Sequence, residues 1–407
     1  MSTNTYTRAE RRAAPSRPAA PLGGRRVYPP GGGQGFTLME LLVAVAIGMG
    51  LVLAVTVMLM RHEAGRRALS SINDVSSNGT YLSYALDRTL RSAGSGFTQI
   101  GRQTFGCPLR VARSGATVLP RASAFPAPFA SVNTTVRLAP LVVQAGAGTN
   151  GSDVLIVSAG SAGLGETPQR VLPASATTTS LRINSTVGLA ADDLVLLSQN
   201  GDTCMLQQVA SGFVGGADQL LSFGGTYAAT TVAGVPLTDI AATTVGWASS
   251  LGRITGKRPA FQLVGIGANN TLVAYDLLQL DGNDRLIPLA DGVVDLRTRY
   301  GVDTNDDGKV DQWVDPATAP WDAATLLDGT PASQLNLTRI VAIRVGMVLR
   351  NSTPERSAVS PSTLTLFGDL ATGLQYTHSV ATSDRTLRYR TMDFTVPLRN
   401  VLLMPHS

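Results

Sequence analysis

Between Leu41 and Met60 the chain runs 20 residues without a charged side chain, about the ~20 that an α-helix needs to cross a bilayer. The wider stretch 35–60, GFTLMELLVAVAIGMGLVLAVTVMLM, holds one charge, Glu40. Insertion scales put the cost of a carboxylate in hydrocarbon at about 2.5–3.5 kcal/mol, so a carboxylate kept there implies a use. Beyond the apolar run the period changes but stays helical. Leu82, Ala85, Leu86, Thr89, Leu90 and Ala93 recur at i, i+3, i+4, i+7, i+8 and i+11, the stripe of an amphipathic helix. Asn78-Gly79 falls just before this stripe and reads as a kink or weak point; Gly94-Ser95-Gly96 ends it. The expectation is one helix from about Phe36 to Ala93, half in a membrane and half packed on a soluble domain. From residue 96 on, the pattern turns to short β-branched or alternating runs between Gly, Asn, Asp and Ser clusters. Candidate strands are Asp153–Ser158, Leu194–Ser198, Leu272–Leu280, Ile340–Leu349 and Arg388–Val396. Residues 113–190, rich in Ala, Thr, Ser and Gly, read as long loops around short strands.

Composition changes this picture in one respect. The chain has 407 residues, 15% of them charged, and a net charge of +5. Residues 1–35 carry six arginines (Arg8, Arg11, Arg12, Arg17, Arg25, Arg26) against Glu10. Removing them leaves 33 − 6 = 27 basic and 28 − 1 = 27 acidic residues. The basicity therefore belongs to a Pro- and Gly-rich leader, and nucleic-acid binding loses its main support. Arginines ahead of the apolar run place the N-terminus in the cytoplasm by the positive-inside rule. Arg61, Arg66 and Arg67 oppose this but are outnumbered. A secretory signal would have a shorter apolar core followed by small residues, whereas here the small residues come first.

The segment Gly35-Phe36-Thr37-Leu38-Met39-Glu40 resembles the class III leader of type IV prepilins and type II secretion pseudopilins. The resemblance implies that a membrane prepilin peptidase cuts after Gly35 and methylates the new N-terminal Phe36. Glu40 then becomes the fifth mature residue, one helical turn from the amine. In a filament of staggered helices that amine can meet a neighbour's Glu40, which gives the carboxylate a partner and sets register. Ala44, Ala46, Gly48, Gly50 and Ala54 would let such helices approach closely; they also serve as ordinary lipid-facing filler. Within the pilins, Ser77–Tyr81, Leu86–Gly94, Phe105-Gly106-Cys107, the stretch YGVDTNDDGKVDQW and Val396–Asn400 resemble the minor pilin group PilW. The resemblance implies an α+β fold: a long N-terminal helix packed on an antiparallel sheet, with a large β-rich, loop-rich C-terminal elaboration. It divides the chain into a cleaved leader (1–35), the helix (36–95, with 36–60 in the membrane or filament core) and an exported β-rich domain (96–407). Implied partners are other minor and major pilins, the peptidase, the inner-membrane assembly platform and lipid. The chain would sit in the inner membrane before assembly, with its C-terminal domain in the periplasm, and at the cell surface afterwards.

Two cysteines, Cys107 and Cys204, suit an exported domain, where thiols commonly pair; two separate buried thiols are the alternative. No CxxC supports a redox or zinc site. Asp303, Asn305, Asp307, Gly308, Lys309 and Asp311 follow the early spacing of an EF-hand loop, with Lys309 offering its carbonyl. Val314 replaces the bidentate Glu at the twelfth position, so this is either a weak, structural calcium loop or an Asp/Asn-rich hairpin turn. No cofactor is required. Gly146, Gly148 and Gly151 spell G-x-G-x-x-G, but Ser152–Val157 reads as a strand where a dinucleotide site needs a helix. His62, His378 and His406 are scattered, and no hydrolase or metalloprotease motif occurs, so an enzyme is not expected. Two classes remain. One is an assembly subunit, a minor pilin or its pseudopilin variant. The other is a tip adhesin or DNA-uptake module, whose only short basic candidate, Arg385–Arg390, reads more simply as the solvent face of a strand.

Overall fold

In the computed structural model the described residues are 35–162, 167–199, 202–216 and 219–404; leader residues 1–34 lie outside them. A 54-residue helix, α1 (Leu38–Arg91), opens the fold. The chain divides into two units, Met1–Glu63 and Ala64–Ser407. In the first, Leu38–Met60 is apolar enough to cross a membrane, with a mean hydropathy of 2.7, and none of it is buried.

In the second unit α1 buries one stripe and exposes the other. Val75, Leu82, Leu86 and Leu90 enter the main core, followed by Ala93 beyond the helix end. The helix does not break at Asn78-Gly79. Gly79 is buried there, and a Cβ on it would lie 2.7 Å from Leu349 Cδ1 and 2.9 Å from Met392 Cε. The glycine sets how closely helix and sheet approach and is not a hinge.

Beneath the helix lies a four-stranded antiparallel sheet in the order Gln312–Val314, Val293–Val302, Ile340–Arg350, Tyr389–Pro397. A second, five-stranded antiparallel sheet runs Leu286–Ala290, Leu272–Asp276, Ala260–Ile266, Val154–Ala159, Leu141–Gln144. Four of the five anticipated strands form within a residue or so of their expected ends. The fifth stops at Asp276, because that carboxylate accepts the N–H groups of Leu278 and Leu280 and turns the chain.

The third sheet has six strands: Ala116–Leu119, Leu109–Arg113, Thr203–Gln208, Asp193–Gln199, Gly246–Arg253, Gln169–Val171. Leu109–Arg113 pairs with Thr203–Gln208 in parallel, the one parallel pairing among the described strands. Successive side chains of a strand face opposite ways, and here both faces are buried. Leu194 and Leu196 join the main core, whereas Val195 and Leu197 join a second one with Leu181, Ile183, Leu221 and Leu237. That is why 194–197 reads as a continuous apolar run instead of alternating. Of the region expected to be loops, Val171, Leu181 and Ile183 enter this second core, whereas Phe125, Phe129, Val142 and Leu155 enter the main one.

Candidate assembly site

The first turn of α1 is built by its own sequence. Thr37 precedes the helix and Glu40 is its third residue, the T-x-x-E spacing of a capping box. Glu40 Oε2 accepts from the Thr37 N–H (3.0 Å) and from the Thr37 hydroxyl (3.0 Å). In return, the Glu40 N–H donates to Thr37 Oγ1 (3.3 Å). Such caps contribute about 0.5–2 kcal/mol. Thr37 is not singled out by the processing motif, although Thr followed by Glu three places later at the head of an apolar run is the signature of a helix cap. Gly35 and Phe36 lie just outside the helix and are exposed. Gly35-Phe36, the capping pair and the apolar span are therefore contiguous.

The remaining sequence-predicted residues lie in the body, in two places. Cys107 and Cys204 form a disulfide, both fully buried. It joins the chain just before strand Leu109–Arg113 to the strand that pairs with it in parallel. With a sequence separation of 97 between the cysteines, the chain-entropy model gives about 4–5 kcal/mol of stabilisation.

Asp303 to Asp311 forms the turn between strands Val293–Val302 and Gln312–Val314. The Asp303 carboxylate is buried and accepts from the N–H groups of Asn305 (3.1 Å), Asp307 (3.3 Å) and Gly308 (2.7 Å). Asn305 Oδ1 accepts from the Asp307 N–H. Asp307 accepts from the Lys309 N–H and pairs with Lys309 Nζ at 3.2 Å. The hydroxyl and N–H of Thr304 hold the Asp311 carboxyl below the usual carboxylate range. The side-chain oxygens that the spacing assigned to a cation are thus engaged by the backbone of their own loop. Among the described residues no three His, Cys, Asp or Glu side chains converge to hold a metal. The geometry is that of a closed Asx-rich turn.

Other polar groups are likewise used within the fold. Gly146 to Gly151 is the hairpin between antiparallel strands Leu141–Gln144 and Val154–Ala159, so no helix follows it. His378 pairs with the buried Asp295 at 2.9 Å, and the Tyr376 hydroxyl donates to the same carboxylate at 2.8 Å. Burial opposes ionisation of Asp295, but His378, Tyr376 and Arg297 outweigh it and hold its carboxyl below the usual range. These bonds fasten the ribbon of Thr363–Leu366 and Tyr376–Ser379 to the four-stranded sheet. In the basic stretch, Arg388 pairs with Glu355 at 2.7 Å and Arg385 donates to the Ser360 carbonyl.

No curated protein and no solved structure matches the chain. A family model does. Its matched segment, residues 264–400, contains the four-stranded sheet, the Asp-rich turn and the ribbon. That model is described as type IV pilus-assembly protein W, and over residues 264–400, about a third of the chain, the sequence is similar to that family, which supports the PilW resemblance read from the sequence.

Proposed function

We propose that the protein is a minor pilin: a low-copy subunit cut between Gly35 and Phe36, methylated at Phe36, and inserted through α1 into the core of a type IV pilus. It helps to initiate the filament and sits near its tip. The observation that carries this reading is the unburied apolar helix Leu38–Met60 with one acid, Glu40, at its capped start. A fully exposed apolar surface of this length needs either lipid or other helices to cover it. The same helix can have both in turn, lipid before assembly and neighbouring subunits afterwards. Before assembly the N-terminus faces the cytoplasm and the body the periplasm.

Glu40 serves both states. Its Oε2 takes the two bonds from Thr37 and so holds the first turn together. Oε1 then remains for the methylated amine of a neighbouring subunit. Pairing the two charges offsets the cost of each in hydrocarbon. The body is held against the second half of α1 by the leucine stripe and by Asn400, whose amide donates to the Ser92 and Ala93 carbonyls.

The test is a Glu40→Ala chain expressed beside wild-type pilins. Processing and insertion should be retained, because the span becomes more apolar. The amount recovered in sheared filaments should fall sharply. Incorporation at the wild-type level would remove Glu40 from the assembly mechanism.

A further inference from the structure

A cleft of about 290 Å³ opens between strand Leu109–Arg113 and the turn after strand Leu272–Asp276, lined by Arg113, Thr117, Arg121, Ser123, Gln279 and Asp284. It lies outside every site considered so far and holds two guanidinium groups against one carboxylate.

Arg121 is fixed. Its Nη1 and Nη2 bind the two oxygens of Asp284 at 3.2 and 2.9 Å, and its guanidinium stacks over Phe125 (5.1 Å) and Tyr275 (5.7 Å). Among the described residues Arg113 has no ion pair and its buried Nε has no hydrogen-bond partner; the neutral Tyr227 side chain is its hydrogen-bonding neighbour. The nearby acids are committed elsewhere. Asp276 accepts two backbone N–H groups, Asp281 pairs with Arg285 at 3.0 Å, and Asp284 serves Arg121. The turn is shaped to admit the Arg113 side chain. At Gly282, with φ +81°, a Cβ would stand 2.8 Å from Arg113 Nη2. Gln279, in the cleft wall, has a φ of 51°, a conformation that a non-glycine residue holds only where its surroundings enforce it.

We infer that this cleft binds an oxyanion, a carboxylate or a phosphate ester. Arg113 supplies the charge, and Arg121, whose other donors are taken by Ser123, Tyr275 and Asp284, can add one N–H of Nη2. A guanidinium offers a planar fork of donors that matches such anions. A partly buried cation without a counter-ion gains more from one than a solvated surface arginine does. The hydroxyls of Thr117 and Ser123 are the neutral donors at hand. The inference is independent of the assembly reading, since no residue of α1 lines the cleft.

The experiment is thermal denaturation of the full-length, detergent-solubilised protein, titrated separately with inorganic phosphate and with acetate at constant ionic strength maintained by chloride. At least one anion should raise the melting temperature saturably, as binding to the folded state alone requires. Arg113→Gln should weaken the effect roughly tenfold or more, the loss of a charge-assisted bond. Arg113→Lys, which keeps the charge without the fork, should fall between the two, and it keeps the test decisive if the Gln variant folds poorly. A response to phosphate alone assigns the site to a phosphate group, a response to acetate alone assigns it to a carboxylate, and a response to both supports an oxyanion site that accepts either. No saturable response to either anion, or an unchanged response in both Arg113 variants, overturns the inference.

Discussion

Replacing Gly79 by Ala sets two effects of known size against each other. In a helix interior that contacts nothing, Ala is better than Gly by about 1 kcal/mol. At Gly79 the new Cβ would meet Leu349 Cδ1 at 2.7 Å and Met392 Cε at 2.9 Å, where ordinary contact begins near 3.4 Å. Both atoms end flexible side chains, but Leu349 is only 2% exposed and has little room to retreat. Forcing a methyl into a packed interface costs about 1–3 kcal/mol. The difference is a net destabilisation of about 0–2 kcal/mol. Asn78, one residue earlier, is exposed on the same helix. Asn78→Ala has only the propensity term, and should stabilise by about 0.5 kcal/mol. Denaturation midpoints of the two variants should therefore move in opposite directions from wild type. If Gly79→Ala stabilises the protein by about 1 kcal/mol, the glycine is a flexible point and the helix does not pack on the sheet as described.

Further outcomes follow from the body. Cys107→Ser with Cys204→Ser should cost about 4–5 kcal/mol by the chain-entropy model, and a nonreducing digest of the wild type should yield one peptide containing both residues. We propose that any calcium site in the Asp303–Asp311 turn is weak, since its oxygens already serve the loop backbone; equal melting curves in millimolar calcium and in chelator would leave it a turn, whereas a rise abolished by Asp307→Ala would show that it binds the ion. Asp295 is held below the ordinary carboxylate pKa, so its contribution is full above the unfolded value near 3.9 and is lost as pH falls through the folded value. Acid below about pH 4 should thus loosen the ribbon 363–379, read by faster amide exchange there, and Asp295→Asn should show fast exchange already at pH 7.

The leucine stripe of α1 was legible because burial on one side leaves a period, whereas the runs at 154–159 and 340–350 are buried on both faces and stand out as continuous apolar segments. Gly79 was misread because a glycine's local signal is the same whether it bends a helix or admits a neighbouring sheet; only the position of Leu349 and Met392 decides. The second core was hidden for a related reason. Its strands are short, such as Ser180–Arg182 and Leu220–Ser222, and come together across long stretches of chain. The Asp-rich turn shows the limit of spacing as a guide to metal. The same D-x-N-x-D-G pattern that could surround a cation also satisfies its own N–H groups. Glu40 was identified by its cost in hydrocarbon, but its bond to Thr37 required reading the motif as a helix start as well as a processing signal. The oxyanion cleft had no sequence signal, since Arg113 and Arg121 become significant only when the acids near them are seen to be taken.

The most direct test of a processed, assembling subunit is the mass of its mature N-terminus. Protein extracted from membranes of a cell with active prepilin peptidase should begin at N-methylated Phe36, having lost residues 1–35 and their net charge of +5. An intact leader in that cell, or a mature chain starting at any other residue, would contradict the account.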